Sequence, residues 1–527
     1  MITGFFKKLL KVFWFLPGFL LWAAFPPMGE KMDVLFALAP LIWLSRRADP
    51  KTSAKRWFMS GLFFWAATLS WMPAIVKNGG PWPLVVLGWT VLSVYCAAYF
   101  AAYGYLSARA WDWVKQGRYW RRLAAVFFIE PVLWCGLELV RSRLGGGFAW
   151  NQLGVVAVNG GFGAPAAIGG VYLLSAIVFL INGTIAGIVQ RAWKCDVQGP
   201  RWARPLETVL PFAIIFGIYG LSDRHVPQSR TEDAAALRVA MVQRNFPCVF
   251  KEQEENPYRI YENLVGNFSA LKPELVVLPE SAMCEFGAVD ARGALAFSHW
   301  LSELTGAALL AGGSREENGA VFNSAALYQQ TAAMQIYDKV HLVPFGEFIP
   351  GDKWIKALQR FAPVGSCTPG ELKLMTLKRE GGGEIRLGTA ICFEDTDSAQ
   401  MRRLAAMGAE MLVFITNDSW FSNSVEAEQH AWQARARAVE TGLAVVRAGN
   451  SGVTGTITPA GHATWLVGSD NRLLVDKSGT MFDRVSPGRS TTPYVRFGDV
   501  PLAAMFMFLL AALSVPLVRH LTNRRSF

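Results

Sequence analysis

At 527 residues the chain exceeds one ordinary domain and calls for at least two. Apolar residues make up 52% of it and charged residues 17%, which lies on the membrane side of a globular average. The net charge of +11 would suit a nucleic-acid binder, but Lys and Arg crowd the short connections between apolar segments, where they act as topology signals, so nucleic acid is not an expected partner.

Hydrophobic stretches fill residues 9–221, thin out over 222–497 and return at 498–518. Candidate spans lie at 9–26, 32–45, 57–76, 83–108, 123–142, 163–190, 206–221 and 500–518, the second and seventh being short for a crossing of about 20 residues. The first has Lys7, Lys8 and Lys11 before its apolar run, no small-x-small cleavage site, and another apolar segment after it, so it is expected to be retained as an anchor. Basic residues alternate regularly between the two ends of these spans: Arg46, Arg47, Lys51, Lys55 and Arg56, then Arg109 to Arg122, then Arg191 to Arg204, and finally Arg519, Arg524 and Arg525 share the side of the N-terminus. The positive-inside rule then puts both termini in the cytoplasm and residues 222–497 outside. The expected organisation is a membrane domain at 1–221 with about seven helices, an extracytoplasmic domain at 222–497, and a last span with a cytoplasmic tail at 498–527.

Within the membrane part, Glu138 and Arg141 sit near the outer end of the fifth span, spaced i, i+3, and ionisable groups there point to a functional or a mutually paired role. The following loop, Gly145 to Gln152, mixes glycines with Phe148 and Trp150, a composition that fits either an interfacial segment or a plain connection.

In the soluble part Leu237–Gln243, Glu274–Pro279, Ala307–Gly312, Ile385–Ile391 and Met411–Thr416 read as buried strands, and Pro257–Ala270 and Val425–Thr441 as helices. This alternation predicts an α/β domain, with catalytic groups at strand ends. Three ends carry chemistry: Glu280 after LVVLP, Lys339 in YDKVHLVPFGE, and Cys392 after LGTAI. A carboxylate can take a thiol's proton, and a cation can stabilise the thiolate and then the oxyanion of a tetrahedral intermediate. Each residue also has a plain alternative, since a strand-end Cys is often a small buried side chain and a loop Glu or Lys is often solvated. His341 reads as a structural hydrogen-bonding partner. The seven cysteines (Cys96, Cys135, Cys195, Cys248, Cys284, Cys367 and Cys392) form no CxxC pair or Cys/His cluster, so zinc is not expected.

LPE at 278–280, DKVHLVPFGEFIP at 338–350, ICFED at 391–395 and TNDSWF at 416–421 closely resemble the apolipoprotein N-acyltransferase family. The soluble part alone is similar to the carbon–nitrogen hydrolase (nitrilase) superfamily. The resemblance extends to GGFAWNQLG at 146–154, VQRNFP at 242–247, QHAWQARARAVETG at 429–442 and the last span. It implies a polytopic α-helical membrane domain joined to an α/β nitrilase-like four-layer α-β-β-α sandwich. It implies that a phospholipid donates an acyl chain to a thiol and that the α-amine of an S-diacylglyceryl cysteine on an apolipoprotein then takes it, in a bacterial inner membrane, with no metal or organic cofactor. By motif, Glu280 is the general base, Lys339 the oxyanion and thiolate stabiliser and Cys392 the nucleophile, with Glu347 and Glu394 as supporting carboxylates that orient Lys339 or the incoming amine. Phe345, Phe393, Trp420, Phe421, Trp150 and Arg141 are the candidate substrate contacts, and a single chain is the expected unit.

The sequence departs from the family pattern in two places. Phe393 follows the thiol where the family often has Tyr. No Trp follows VQRNFP, where family members carry one thought to gate lipid entry, and Phe250 is the substitute at hand. The competing functions are a membrane-tethered amidase, with water in place of the amine, and a transporter or lipid-binding scaffold that retains a relic domain.

Overall fold

The computed structural model describes residues 14–115, 118–192, 205–227, 236–246, 256–266, 268–349, 366–379 and 381–523, the backbone alone from 515 onward. Cys195, Cys248, Phe250, the start of the first candidate span and Lys7, Lys8 and Lys11 lie outside the described residues. The chain divides into two compact units, one of residues 1–76, 80–225 and 497–527 and the other of residues 77–79 and 226–496.

The first unit is helical: α1 (Leu16–Ala23), α2 (Ala39–Ser45), α3 (Pro50–Thr68), α4 (Trp82–Lys115), α5 (Tyr119–Ala124), α6 (Glu130–Arg141), α7 (Leu153–Asn159), α8 (Ala166–Ala192) and α9 (Leu206–Ser222), closed by α16 (Val500–Asn523) after the short α15 (Pro493–Phe497) of the chain's second half. A π-helical turn, Ala125–Ile129, joins α5 to α6. Four helical stretches among the described residues are long and apolar enough to cross a membrane: Pro50–Asn78, Trp82–Lys115, Tyr119–Arg141 and Ala166–Ala192. The candidate span at 32–45 differs from its expectation. It is a 3₁₀ turn at Lys31–Leu35 followed by the seven residues of α2, far short of a crossing at 1.5 Å per residue. Pro40, in the first turn of α2, has no amide hydrogen with which to continue a helix from the preceding turn.

Three of the basic residues read as topology signals are paired with acids within this unit. Arg46 pairs with Glu130 at 2.6 Å, Trp111 donates to the same carboxylate at 2.7 Å, and both partners of the pair are about 1% exposed. Arg122 pairs with Glu207 at 2.7 Å, and Arg191 pairs with the other oxygen of Glu207. A charge buried among apolar helices needs such a partner, because no water is there to solvate it.

Among the described residues the second unit holds two six-stranded sheets. The first has the order β12-β1-β2-β3-β4-β5 and the second β11-β10-β9-β8-β7-β6. The strands of the first are β1 (Leu237–Gln243), β2 (Leu275–Val277), β3 (Ala308–Glu317), β4 (Ala320–Gln329), β5 (Ala332–Asp338) and β12 (Gly479–Val485). Those of the second are β6 (Met375–Lys378), β7 (Glu384–Ile391), β8 (Met411–Thr416), β9 (Val445–Gly449), β10 (Gly455–Ile457) and β11 (Ala463–Trp465). The central strands β1-β2-β3 and β7-β8-β9 are parallel, the others antiparallel. Strands covered on both faces read as unbroken apolar runs, and all six residues of β8 are buried.

Leu237, Val239, Val277, Leu387, Val413 and Val446 belong to one core between the two sheets. On the outer face of the first sheet lie α10 (Pro257–Val265), α11 (Phe268–Leu271) and α12 (Arg292–Thr305), with Tyr261, Phe297 and Leu301. On the outer face of the second lie α13 (Ser398–Ala406) and α14 (Glu426–Thr441), with Met401, Leu404 and Ala438. This is the four-layer α-β-β-α sandwich. The helix expected over Pro257–Ala270 is two pieces, while that over Val425–Thr441 is continuous.

Candidate active site

The ends of β2, β5 and β7 bring together the three groups that the sequence singled out. Lys339 follows the last residue of β5, and its ammonium is 2.8 Å from Glu347 Oε1 and 3.9 Å from Glu280 Oε1. The Lys339 side chain is 1% exposed, so its charge is compensated by protein groups and not by solvent. The amide of Asn323, on β4, donates to Glu280 Oε1 and to Glu347 Oε1, both at 2.7 Å. One neutral side chain thereby holds two like charges beside one ammonium. Asn323 was not legible as a site residue, because an Asn within a strand carries no local signature. Glu347 is fixed further by the Val343 N–H at 2.7 Å. At Gly312 of β3 a Cβ would lie 2.7 Å from the Glu280 Cα, so only glycine lets that backbone approach.

The electrostatics separate the two carboxylates. Burial raises the pKa of Glu280, and the Lys339 cation only partly offsets it. Burial acts on Glu347 as well, but the direct contact with Lys339 and the bonds from Val343 and Asn323 bring it below the usual range. Lys339 is penalised by burial, yet the Glu347 and Glu280 carboxylates together hold it charged above its ordinary pKa. Paired carboxyls pushed apart in this way suit different tasks, one as proton acceptor and one as fixed charge.

Cys392 is the first residue of a 3₁₀ turn, Cys392–Thr396, directly after β7. Its φ of +53° lies in the left-handed region, uncommon for a residue with a side chain. Burial, then the Glu280 charge, push its thiol well above the ordinary value, and Lys339 opposes them. The resting group is therefore a neutral thiol beside a base, not a standing thiolate.

Of the two tasks its motif implied, orienting Lys339 or the incoming amine, the contacts of Glu394 fit the first. It is fully buried, and its carboxylate accepts from the N–H groups of Ile391 (2.8 Å), Val340 (2.8 Å) and His341 (3.0 Å), from Tyr337 Oη (3.0 Å) and from Gln400 Nε2 (2.8 Å). With every bond spent on backbone and core, it ties the Lys339 segment to the Cys392 turn and has no contact to give an incoming amine. From the far side Arg437 of α14 donates to the Thr396 carbonyl at 2.7 Å and pairs with Glu440 at 2.7 Å.

The aromatic candidates divide. Phe345 is 67% exposed with a φ of +65°, and Phe393 meets the His341 ring edge-on at 5.5 Å. Trp420 and Phe421 are half-buried in the 3₁₀ turn that follows β8. Arg141 and Trp150 do not have the free surface expected of substrate contacts. Arg141 donates to the carbonyls of Phe148 (2.7 Å) and Trp150 (2.9 Å) and lies 4.6 Å from the Trp65 ring, while Trp150 is 2% exposed. Glu138 accepts from the Leu153 N–H at 3.1 Å. These charges fix the backbone around the 144–153 loop.

A second charged cluster, missed in the sequence, lies behind the Cys392 turn: Asp395, Asp418, Glu426, His430 and Arg447, all buried. Asp418, Glu426 and His430 each bring one potential metal-ligand atom within 4.8 Å of the others. However, Arg447 is 3.4 Å from Asp418 and both ring nitrogens of His430 face carboxylates, an arrangement of ion pairs in which a metal would displace cations already in place. Its signal was the QH of QHAWQARA together with the D of TNDSWF, twelve residues apart in the chain.

Residues 17–184 match the apolipoprotein N-acyltransferase N-terminal domain and residues 238–478 the carbon-nitrogen hydrolase domain. An apolipoprotein N-acyltransferase of Geobacter metallireducens is 31% identical over 500 residues, spanning 92% of this chain and 91% of that one. One of Methylococcus capsulatus is 29% identical over 496 residues, spanning 92% of each. Among solved structures, an amidase from Nesterenkonia sp. is 18% identical and covers 53% of this chain and 99% of its own, with a TM-score of 0.36. A carbon-nitrogen hydrolase superfamily protein from Xanthomonas campestris is 18% identical, covers 51% and 96%, and has a TM-score of 0.35. The chain belongs to the apolipoprotein N-acyltransferase family.

Proposed function

We propose that this membrane protein acylates the N-terminal α-amine of S-diacylglyceryl-cysteine lipoproteins, with a phospholipid as acyl donor and Cys392 as acyl carrier. The observation that carries the reading is the buried Lys339 ammonium held between Glu280 and Glu347 at strand ends shared with a thiol, in a chain that also has membrane-length helices. In the first half-reaction Glu280 takes the Cys392 proton as sulfur attacks the ester carbonyl, and the Lys339 ammonium stabilises the oxyanion. The carbon–oxygen bond then breaks, Glu280 returns the proton to the glycerol oxygen, and a lysophospholipid leaves behind a thioester. In the second, the lipoprotein amine attacks, Glu280 accepts its proton, the carbon–sulfur bond breaks, and Glu280 passes the proton to the departing sulfur, which restores the thiol and the base. Because the resting thiol is neutral, proton transfer accompanies attack. Glu347 keeps Lys339 charged, and Glu394 sets the distance between the Lys339 and Cys392 segments. Phe345, Phe393, Trp420 and Phe421 are the proposed contacts of acyl chains.

We further infer from the Lys and Arg distribution that residues 222–497 face outward from the inner membrane, with 1–221 as the membrane domain, 498–527 as last span and tail, and both termini cytoplasmic. A monomer is the proposed working unit. Incubation with phospholipid alone, read by intact mass, is expected to give an acyl adduct on Cys392 that is absent from Glu280→Ala. A diacylated lipopeptide should then discharge it as N-acyl product. Release of free fatty acid without transfer would assign an amidase-like hydrolase instead.

A further inference from the structure

His430 of α14 sits with both ring nitrogens against acids on two other elements: Nε2 is 2.9 Å from Asp395 Oδ1, in the Cys392 turn, and Nδ1 is 3.0 Å from Asp418 Oδ1, in the turn after β8. Nδ1 hydrogen-bonds Asp418, and a second carboxylate close to Nε2 favours the imidazolium by its charge. Glu426, on the same helix, faces Nδ1 at 3.6 Å, and Arg447 of β9 reaches Asp418 at 3.4 Å and Asp395 at 3.7 Å. All five residues are 4% exposed or less. Three acids thus face two bases, and the cluster is neutral when His430 is charged and Glu426 carries a proton.

From this geometry we infer that His430 is a positioning residue for the nucleophile: a permanent imidazolium that clamps the Cys392 turn to the β8 turn and cancels the negative charge of the acids behind the thiol. The titration directions agree. Burial opposes the cation, but Asp395 and Asp418 hold its pKa well above the ordinary histidine value. Burial and Asp418 push Glu426 well above the carboxylate range, which supplies the proton that neutrality requires. Burial alone would raise Asp418, and His430 and Arg447 hold it ionised and low. The charge on Asp418 is felt in the site, where it raises the pKa of both Glu280 and Cys392. Without His430 that charge would act on the thiol with only Arg447 to oppose it.

The inference rests on Cys392 being the nucleophile, so its test uses a readout independent of acyl transfer. The rate of Cys392 alkylation by iodoacetamide against pH, followed by peptide mass on the full-length protein in detergent, reports the thiol directly. In His430→Gln the thiol's midpoint should move up by about one unit, the size of a lost neighbouring opposite charge. In the double variant H430Q/D418N, where one charge of each sign is removed, the midpoint should return toward wild type. A folded H430Q with an unmoved midpoint would overturn the proposal, as would a double variant displaced as far as the single. If H430Q does not fold, D418N alone decides: a lower midpoint supports the charge role, and an unchanged or higher one refutes it. Failure of the wild type to form an acyl adduct would overturn the proposed function while leaving these shifts readable.

Discussion

Asn323→Asp is nearly isosteric yet reverses the sign of the contact at the centre of the site. The Asn323 amide nitrogen donates to Glu280 and Glu347 at 2.7 Å each, and a carboxylate oxygen there would face both as a like charge. At about 3 Å and an effective dielectric of about 20, each such repulsion is worth about 5 kcal/mol. The site avoids this by binding a proton. Protonating a carboxyl of ordinary pKa, about 3.9, at pH 7 costs about 4 kcal/mol. That hydroxyl satisfies only one of the two glutamates, and the missing second bond to a charged acceptor costs about 2 kcal/mol more. The sum, about 6 kcal/mol, exceeds the roughly 4 kcal/mol for Asn323→Ala, which merely removes two such bonds. N323D is therefore expected to be less stable and less active than N323A at pH 7, and the gap should close as pH falls and the proton becomes easier to bind. Thermal unfolding of the full-length protein and the rate of Cys392 acylation, each measured from pH 5 to 8, test this. An N323D protein equal to wild type at pH 7, or a gap that widens toward acid, would refute the assignment of a bridging donor between two carboxylates.

Glu394→Gln places an amide hydrogen against one of the five donors that now converge on it; a loss of about 2–3 kcal/mol in stability and at least tenfold in acylation is expected, read by unfolding and intact mass. Gly312→Ala should cost about 1–3 kcal/mol by overpacking against the Glu280 Cα at 2.7 Å and Ile415 Cδ1 at 2.9 Å, with acylation reduced more than stability because the base is displaced. Glu130→Gln leaves the buried Arg46 without its counter-charge and should lower the unfolding free energy by about 3 kcal/mol, which denaturation in detergent would detect. The Glu280 pKa is raised, so its base form is lost while pH is still above the ordinary carboxylate range, and the acid limb of acylation should lie there. Glu347 behaves oppositely: its pKa is depressed on folding, so its stabilisation is full above the ordinary unfolded value and vanishes only as pH falls through the lower folded one.

The fold class and the three central residues were legible because their signals are local. Unbroken apolar runs mark strands covered on both faces; Glu280 follows LVVLP and Cys392 follows LGTAI, while Lys339 follows the strand Ala332–Asp338, where the backbone leaves the core. The motif spacing around them carried the family. The roles of the supporting residues depended on contacts between distant segments. Glu394 reads as a partner of either Lys339 or the incoming amine until its bonds to Val340 and His341 tie it to the Lys339 segment, and Arg141 reads as a substrate ligand until the carbonyls of Phe148 and Trp150 claim it. Arg46 reads only as a topology signal, and its pairing with Glu130, 84 residues away, is added by the structure. Sequence by itself determined which segments are buried and which strand ends hold reactive groups, since those follow from patterning along the chain. Only the tertiary structure decided what each charge is paired with, because hydrogen-bond partners and local dielectric are set by segments that meet in space, as Asn323, Glu280 and Glu347 do around one ammonium.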